Sequence, residues 1–459
     1  DGEYILEVRD SIYRGREDFV YRVSLGELPF VTGVYPPGVR SGTNTRITLT
    51  GWHLPSSTMS IAPKAVGRMP IEVPEAVGPT PLIAVDDIAH VFEKEPNDQP
   101  SRAQRLAAPV AVNGRLDKPG DTDRFAVTGR KGTRLVVETL ARRLGAPTDT
   151  QVMVHDAKGR RIAFNDDWVD PGAGLITHHA DSYLMVELPA DGTYTVTVTD
   201  TQGRGSPEYT YRLRVSPPMP DFELRVTPAS VGLRAGTSVP LTVFAVRRDG
   251  FDGEIALTLK NAPPGFVLSG GRIPAGADRT RVTLTASPRE PVEPLGLALE
   301  GTATIGTRVV TRLAVPAEEM MQAFAYQHLV PAREWLVAVA GRYWPAPILA
   351  SSDTSVRVPA GGTVRVQVPR VGGPMARQVA LELSDPPKGI TLDSYDMRMT
   401  GGTIVLKADP NAKPGTRGNL IVDAYMVRPA GQGSGPRQRQ GRRVPIGCLP
   451  AIPFEITAR

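Results

Sequence analysis

DGTYTVTVTDTQGRGSPEYTYRL, residues 191–213, decides the fold class of this chain, because it occurs twice. Residues 1–23 read DGEYILEVRDSIYRGREDFVYRV, and the two stretches align without a gap at an offset of 190. Asp, Gly, Tyr, Val, Asp, Arg, Gly, Tyr and Arg coincide. Each copy carries an Asp-Gly turn, an alternating strand (Tyr194, Val196 and Val198 on one face), an Arg-Gly turn and a second strand. Alternation with period 2 between such turns argues half-buried antiparallel β-structure. The pattern predicts a β-hairpin that closes a domain. A long strand-rich stretch precedes the second copy and nothing precedes the first, so Asp1–Leu28 is expected to be the remnant hairpin of a preceding domain.

A second repeat occupies the other half. Leu257–Gly265 reads LTLKNAPPG and Leu381–Gly389 reads LELSDPPKG. Each is followed by a further strand, a Gly-containing turn, an alternating strand (Arg281–Ala286; Thr403–Ala408) and a polar Pro-containing loop. The shared order predicts two sandwiches of one type. Strand patterns also fall at Thr45–Thr50, Thr133–Thr139, Val239–Val246, Glu254–Lys260, Thr363–Val368 and Asn419–Val427. The one helical pattern is Ala317–Ala323, after Pro316, where a short helix followed by strand is expected. The expected fold is all-β: tandem Ig-like or jelly-roll-like sandwiches with very little helix. The expected modules are the hairpin 1–28, a small sandwich 29–92, a larger one 93–216, and Ig-like sandwiches at 217–340 (with a connector) and 341–459, joined at proline-marked linkers.

Composition agrees with this. In 459 residues, Gly (46) and Pro (44) make up about a fifth of the chain, below the level of structureless low-complexity sequence. The single cysteine, Cys448, excludes an intrachain disulfide and a Cys-based zinc site. The longest apolar run, Trp335–Ala340, is too short to span a membrane. The net charge of +5 equals the five arginines between Arg428 and Arg443, a stretch with no acid and no aromatic. A nucleic-acid-binding face needs a spread of positive charge with interleaved aromatics, so this stretch reads as a solvated loop and no nucleic-acid partner is expected.

Catalytic patterns are missing. There is no Gly-x-Ser-x-Gly elbow and no His-Glu-x-x-His, and no lysine is followed by Ser or Thr as a phosphate loop requires. His178-His179 would point one ring to each face of a strand, poor geometry for joint metal ligation. Asp166-Asp167 beside Trp168 superficially resembles a carboxylate near an aromatic, but reads as a turn with Asx-type hydrogen bonds. The alternative function is a hydrolase around Asp166, Asp167 and His155. Trp52, Trp168, Trp335 and Trp344 read as core or interface residues.

Calcium chemistry has more support. A hard cation takes six to eight oxygens. Glu93, Glu95 and Asn97 alternate and so project to one side of an extended segment, with Asp98 next. Asp121 and Asp123 add oxygens from a Gly turn, with Asp117 nearby. Lys94 and Arg124 partly offset the negative charge, so a solvated acidic linker remains the other reading.

Glu93–Val215 resembles the bacterial pre-peptidase C-terminal domain. The matching motifs are EPND at Glu95–Asp98, Gly-x-Leu at Gly114–Leu116, GDTDRF at Gly120–Phe125, HDAKGRRIAFNDD at His155–Asp167 and Asp-Gly-x-Tyr at Asp191–Tyr194. By the repeat, Asp1–Val23 resembles the end of a second such domain. Pro29–Leu54, PFVTGVYPPGVRSGTNTRITLTGWHL, is similar to the opening of an IPT/TIG-type Ig-like module, whose Gly-x-x-Leu strand ending Gly51–Leu54 fits. These resemblances imply a secreted or surface-attached, multidomain bacterial protein. They carry Glu93, Glu95, Asn97, Asp98, Asp121 and Asp123 onto calcium-ligand positions. The expected work is non-catalytic, calcium-dependent binding of a polysaccharide or extracellular protein, beside a catalytic domain elsewhere in the parent chain; the accessory C-terminal region of a secreted peptidase is a second alternative to it.

Overall fold

The computed structural model describes residues 2–10, 13–17, 19–175, 179–286, 293–322, 326–340, 355–368, 378–398, 401–428 and 442–459. It is built from tandem β-sandwiches, and the helical elements whose bounds lie wholly within the described residues are three single 3-10 turns. None of its described helices is long and apolar enough to cross a membrane. Trp344, His178 and most of the basic stretch, residues 429–441, lie outside the described residues. The chain divides into two compact units, Asp1–Trp168 with Ala180–Pro217, and Val169–His179 with Pro218–Arg459.

The first unit holds two apolar cores. Val34, Ile47, Ile71, Ile83 and Val85 fill one, between two three-stranded sheets. The other, with Phe125, Val137, Val196, Tyr211 and Leu213, lies between two five-stranded sheets. In one of these, Asp123–Gly129 and Thr150–His155 flank Gly192–Asp200. In the other, Val110–Arg115 and Arg134–Leu140 flank Thr210–Ser216.

The two strands of the 191–213 repeat therefore belong to different sheets and are not a hairpin. Both strands bury an apolar row: Tyr194, Val196 and Val198 on one, Tyr211, Leu213 and Val215 on the other. A hairpin would put both rows on one sheet. Crossing between sheets sets them face to face, and the long connection between Asp200 and Thr210 permits it. The first copy carries no strand among the described residues 2–28, and its Tyr4, Leu6 and Val8 are exposed. A motif whose halves need two different sheets has no way to pair with itself.

Strand expectations elsewhere match closely: Thr45–Trp52, Arg134–Leu140, Ser238–Arg248, Ile255–Lys260, Thr363–Val368 and Arg417–Arg428. The outer face of the sheet containing Thr210–Ser216 departs from the half-buried expectation, because Asn113, Glu138 and Arg212 on it are buried. The 29–92 sandwich covers that face. Asn113 Oδ1 accepts the Gly38 N–H at 2.8 Å, and Arg212 forms a two-bond ion pair with Asp86. Burial opposes ionisation of Asp86, but the Arg212 guanidinium and His90 outweigh it and hold the carboxyl down at about 2.

The second unit contains two further cores, one around Leu224, Val243, Leu284 and Trp335, the other around Val358, Ile404, Val422 and Phe454. The repeated LTLKNAPPG and LELSDPPKG segments take the same turn. Asn261 and Asp385 have φ of 50° and 42°, and Gly265 and Gly389 have φ of 92° and 85°. The expected helix at Ala317–Ala323 is absent: Arg308–Gln322 is one long strand, paired through Ala317↔Pro331 to Gln322↔Tyr326 with Tyr326–Pro331. Val315 precedes Pro316 and is biased to extended backbone. The strand continues because Ala317 is fully buried opposite a ladder that satisfies its backbone. Residues 323–325 lie outside the described chain.

Candidate metal centre

The strand Ala89–Phe92 runs parallel to Val110–Arg115 and delivers Glu93 at its end. There the Glu93 N–H donates to the Asn113 carbonyl at 3.0 Å. Its carboxylate accepts the Arg115 N–H at 3.3 Å. The chain then folds back on itself, and the Asn97 N–H donates to Glu95 Oε2 at 2.9 Å. Opposite, the turn at Gly120 (φ 78°) presents Asp121, and Asp123 opens the strand Asp123–Gly129.

All six candidate residues meet in this corner. Carboxylate oxygens of Glu93, Glu95 and Asp123 lie within 4.8 Å of one another, as do those of Glu95, Asp98 and Asp121. Asn97 joins through its Nδ2, which donates to Glu93 Oε1 at 3.1 Å. Asn97, Asp121 and Asp123 are buried, at 0%, 3% and 0% exposure.

Two acceptors have no partner. Asn97 Oδ1 and Asp123 Oδ1 are buried without a hydrogen bond. Each such orphan costs about 1–3 kcal/mol. Asp123 Oδ2 does have one, from the Tyr211 hydroxyl. Burial, followed by the Glu93 charge, pushes the Asp123 carboxyl up to about 9. Burial also pushes Glu93 up to about 7, with Glu95, Asp117 and Asp121 adding to it against the Arg115 amide. A divalent cation would satisfy both orphans and neutralise the crowded carboxylates, so this all-oxygen donor set fits a hard cation.

Sequence reasoning missed several supports. Lys118, rather than Lys94, is the cation beside the cluster, 3.4 Å from Asp98 and 3.5 Å from Asp121. Against the pull of burial, its hydrogen bond holds the Asp98 carboxyl below its ordinary value. Arg124 Nε donates to the Asp98 carbonyl at 2.8 Å. Asp117 contributes its N–H to Asp121 Oδ2 at 2.7 Å, while its own carboxylate faces Arg115. The repeat motif also buttresses the loop: the Gly120 N–H donates to the Gly203 carbonyl at 3.0 Å. A Cβ on Gly205 would lie 2.1 Å from the Lys118 carbonyl oxygen, so only glycine fits there. Tyr211 and Gly205 are repeat residues, and that recurrence was the available signal.

The rival set does not converge. His155 pairs with Arg161 at one end of a strand pair, while Asn165, just before Asp166 and Asp167, pairs with Val152 at the other. Three residues of strand separate those ends by about 10 Å. Burial, then Arg124 and Arg161, lowers the His155 pKa. Asn165 caps the Asp166-Asp167 turn by donating to the Asp167 carbonyl at 2.9 Å, and Trp168 packs on Tyr183 with ring centroids 4.7 Å apart. Trp335 is core, whereas Trp52 is 62% exposed beside Phe30. His179 lies outside any strand, its ring stacked 6.4 Å from that of His328.

No family model matches the chain. A curated relative, a probable subtilase-type serine protease of Deinococcus radiodurans, is 29% identical over 143 residues, which is 29% of this chain and 18% of that protein. The D00-D0 domain of intimin is similar over 44% of this chain and 95% of its own, at 12% identity and a TM-score of 0.18, too low to bear on the fold. Within these limits, the chain is an array of β-sandwich modules that shares a segment with a bacterial subtilase-type protein.

Proposed function

We propose that this chain is a non-catalytic, extracellular or surface-attached binding array, with calcium held by Glu93, Glu95, Asn97, Asp98, Asp121 and Asp123. In this reading residues 93–216 form a module like the pre-peptidase C-terminal domain, and 29–92 one like the IPT/TIG type. The array presents a polysaccharide or an extracellular protein to a catalytic domain elsewhere in the parent protein. The relative's description as a subtilase-type protease supports an accessory role, although this chain spans only 18% of that protein.

The observation that carries the calcium reading is the pair of buried, unpartnered oxygens, Asn97 Oδ1 and Asp123 Oδ1, among carboxylates on two converging segments. Calorimetric titration of the full chain tests it. Calcium should bind with a Kd of about 0.1–1 mM, the range of extracellular modules, and magnesium more weakly. Asn97→Ala and Asp123→Asn should each remove the heat. No heat at millimolar calcium would leave an acidic linker and nothing more. A panel of peptidase, esterase and glycosidase substrates should show no turnover; robust activity abolished by Asp167→Ala would overturn the non-catalytic reading.

A further inference from the structure

The two repeated sandwiches of the second unit differ at one sheet edge. In the first, Ile255–Lys260 is hydrogen-bonded on one side to Leu295–Ile305 and on the other to the short strand Arg272–Ile273. The Leu257 N–H donates to the Gly271 carbonyl at 2.8 Å. Ile273 is fully buried, and Arg272 lies 3.3 Å from Glu254. A basic residue followed by an apolar one thus closes that edge.

In the second sandwich the matching strand, Val379–Ser384, pairs only with Arg417–Arg428 among the described residues. The residues aligned with Arg272 and Ile273 are Asp396 and Met397. They are taken up in the strand Ile390–Arg398, paired to Thr403 and Gly402. That strand is itself an edge, of the opposite three-stranded sheet. Between the two edges lies a cleft of about 340 Å³ lined by Leu381, Leu383, Ile390, Leu392 and Tyr395. Glu382 and Asp393 also line it and are exposed. Glu382 makes a surface pair with Arg443 at 3.3 Å, a contact of the kind that contributes little.

We propose that this cleft receives an extended strand of a partner polypeptide with alternating apolar and basic side chains. The strand pairs with the edge at Val379–Ser384. Its apolar side chains enter between Leu383 and Leu392, and its basic ones meet Glu382 and Asp393. Unpaired edges over apolar lining are natural templates for strand addition. The sibling sandwich supplies the chemistry of the occupant, since its own plug is Arg272-Ile273.

The test uses the full chain and a synthetic peptide of alternating arginine and isoleucine. Fluorescence anisotropy should show saturable binding, and deuterium exchange at 379–384 should slow when the peptide is added. The double variant Glu382→Lys, Asp393→Lys, at two exposed positions, should weaken binding by about tenfold or more. Equal binding of a peptide with serine in place of isoleucine would reduce the contact to charge and overturn the proposal. So would undiminished binding by the double variant, or slow exchange in the free chain at those 379–384 amides that do not bond to Arg417–Arg428.

Discussion

Residues 2–28 and 191–213 have nearly the same local chemistry and opposite fates. Asp10 accepts the Arg14 N–H at 3.1 Å, and Asp200 accepts the Arg204 N–H at 3.0 Å. The Tyr13 and Gly203 amides each donate to the aspartate carbonyl three residues back, both at 3.0 Å. The Phe19 and Tyr209 amides likewise close matching turns, at 3.0 and 2.9 Å. Yet Tyr4 is 90% exposed and Tyr194 only 2%. Turns are written by nearby side chains. Strands form only where flanking strands bury one face, and those flanks come from elsewhere in the chain.

Paired substitutions at matching positions can break this comparison. The largest effect is expected at Arg212, which faces Asp86 and Glu138 in a nearly dry contact. Arg212→Ala leaves Asp86 with only His90 beside it and takes from Glu138 one of three arginine partners, and should cost about 3–5 kcal/mol. Arg22→Ala, on the exposed copy, should stay within about 0.5 kcal/mol. Thermal melts of the two variants that shift equally would defeat the account.

Acid titration sharpens the same point. The folded Asp86 carboxyl is held at about 2, below its unfolded value of about 3.9. Its stabilisation is therefore complete above about pH 4 and lost as pH falls toward 2, up to about 2 kcal/mol. The gap between wild type and Arg212→Ala, followed by denaturant melts from pH 5 to pH 2, should narrow across that window.

Smaller effects follow. Val196→Ala empties part of a packed core and should cost about 2 kcal/mol, while Leu6→Ala should leave the melt unmoved. Asp200→Asn removes one of two accepting oxygens; Asp149 and Gln202 also donate to this carboxylate. It should cost about 1 kcal/mol. Asp10→Asn should speed amide exchange at Arg14 without shifting the melt.

Much of the fold is legible in the sequence because alternation and turn residues are local signals. Thr363–Val368 needed nothing more. The 191–213 motif suggests a hairpin because a hairpin and a crossing between sheets share the same local pattern; only the partners of Gly192–Asp200 and Thr210–Ser216 distinguish them. Ala317–Gln322 is a strand despite its helical spacing because its pairing with Tyr326–Pro331 overrides that spacing. At the site, the oxygen-bearing residues stood out by alternation. The Tyr211 hydroxyl on Asp123 and the Gly203 carbonyl under Gly120 did not, since each arrives from more than eighty residues away. Nor does sequence reveal that Asn97 is fully buried with its Oδ1 unpaired.

The most direct test of the central claim is a crystal structure of the full chain grown with calcium. An ion should appear between the two segments, about 2.3–2.6 Å from Asn97 Oδ1 and Asp123 Oδ1. Glu93, Glu95, Asp98 and Asp121 should complete the shell, and the ion should vanish in Asp123→Asn crystals grown the same way. Density showing only water between those two oxygens at saturating calcium, or an Asn97 amide turned away from Asp123, would contradict it.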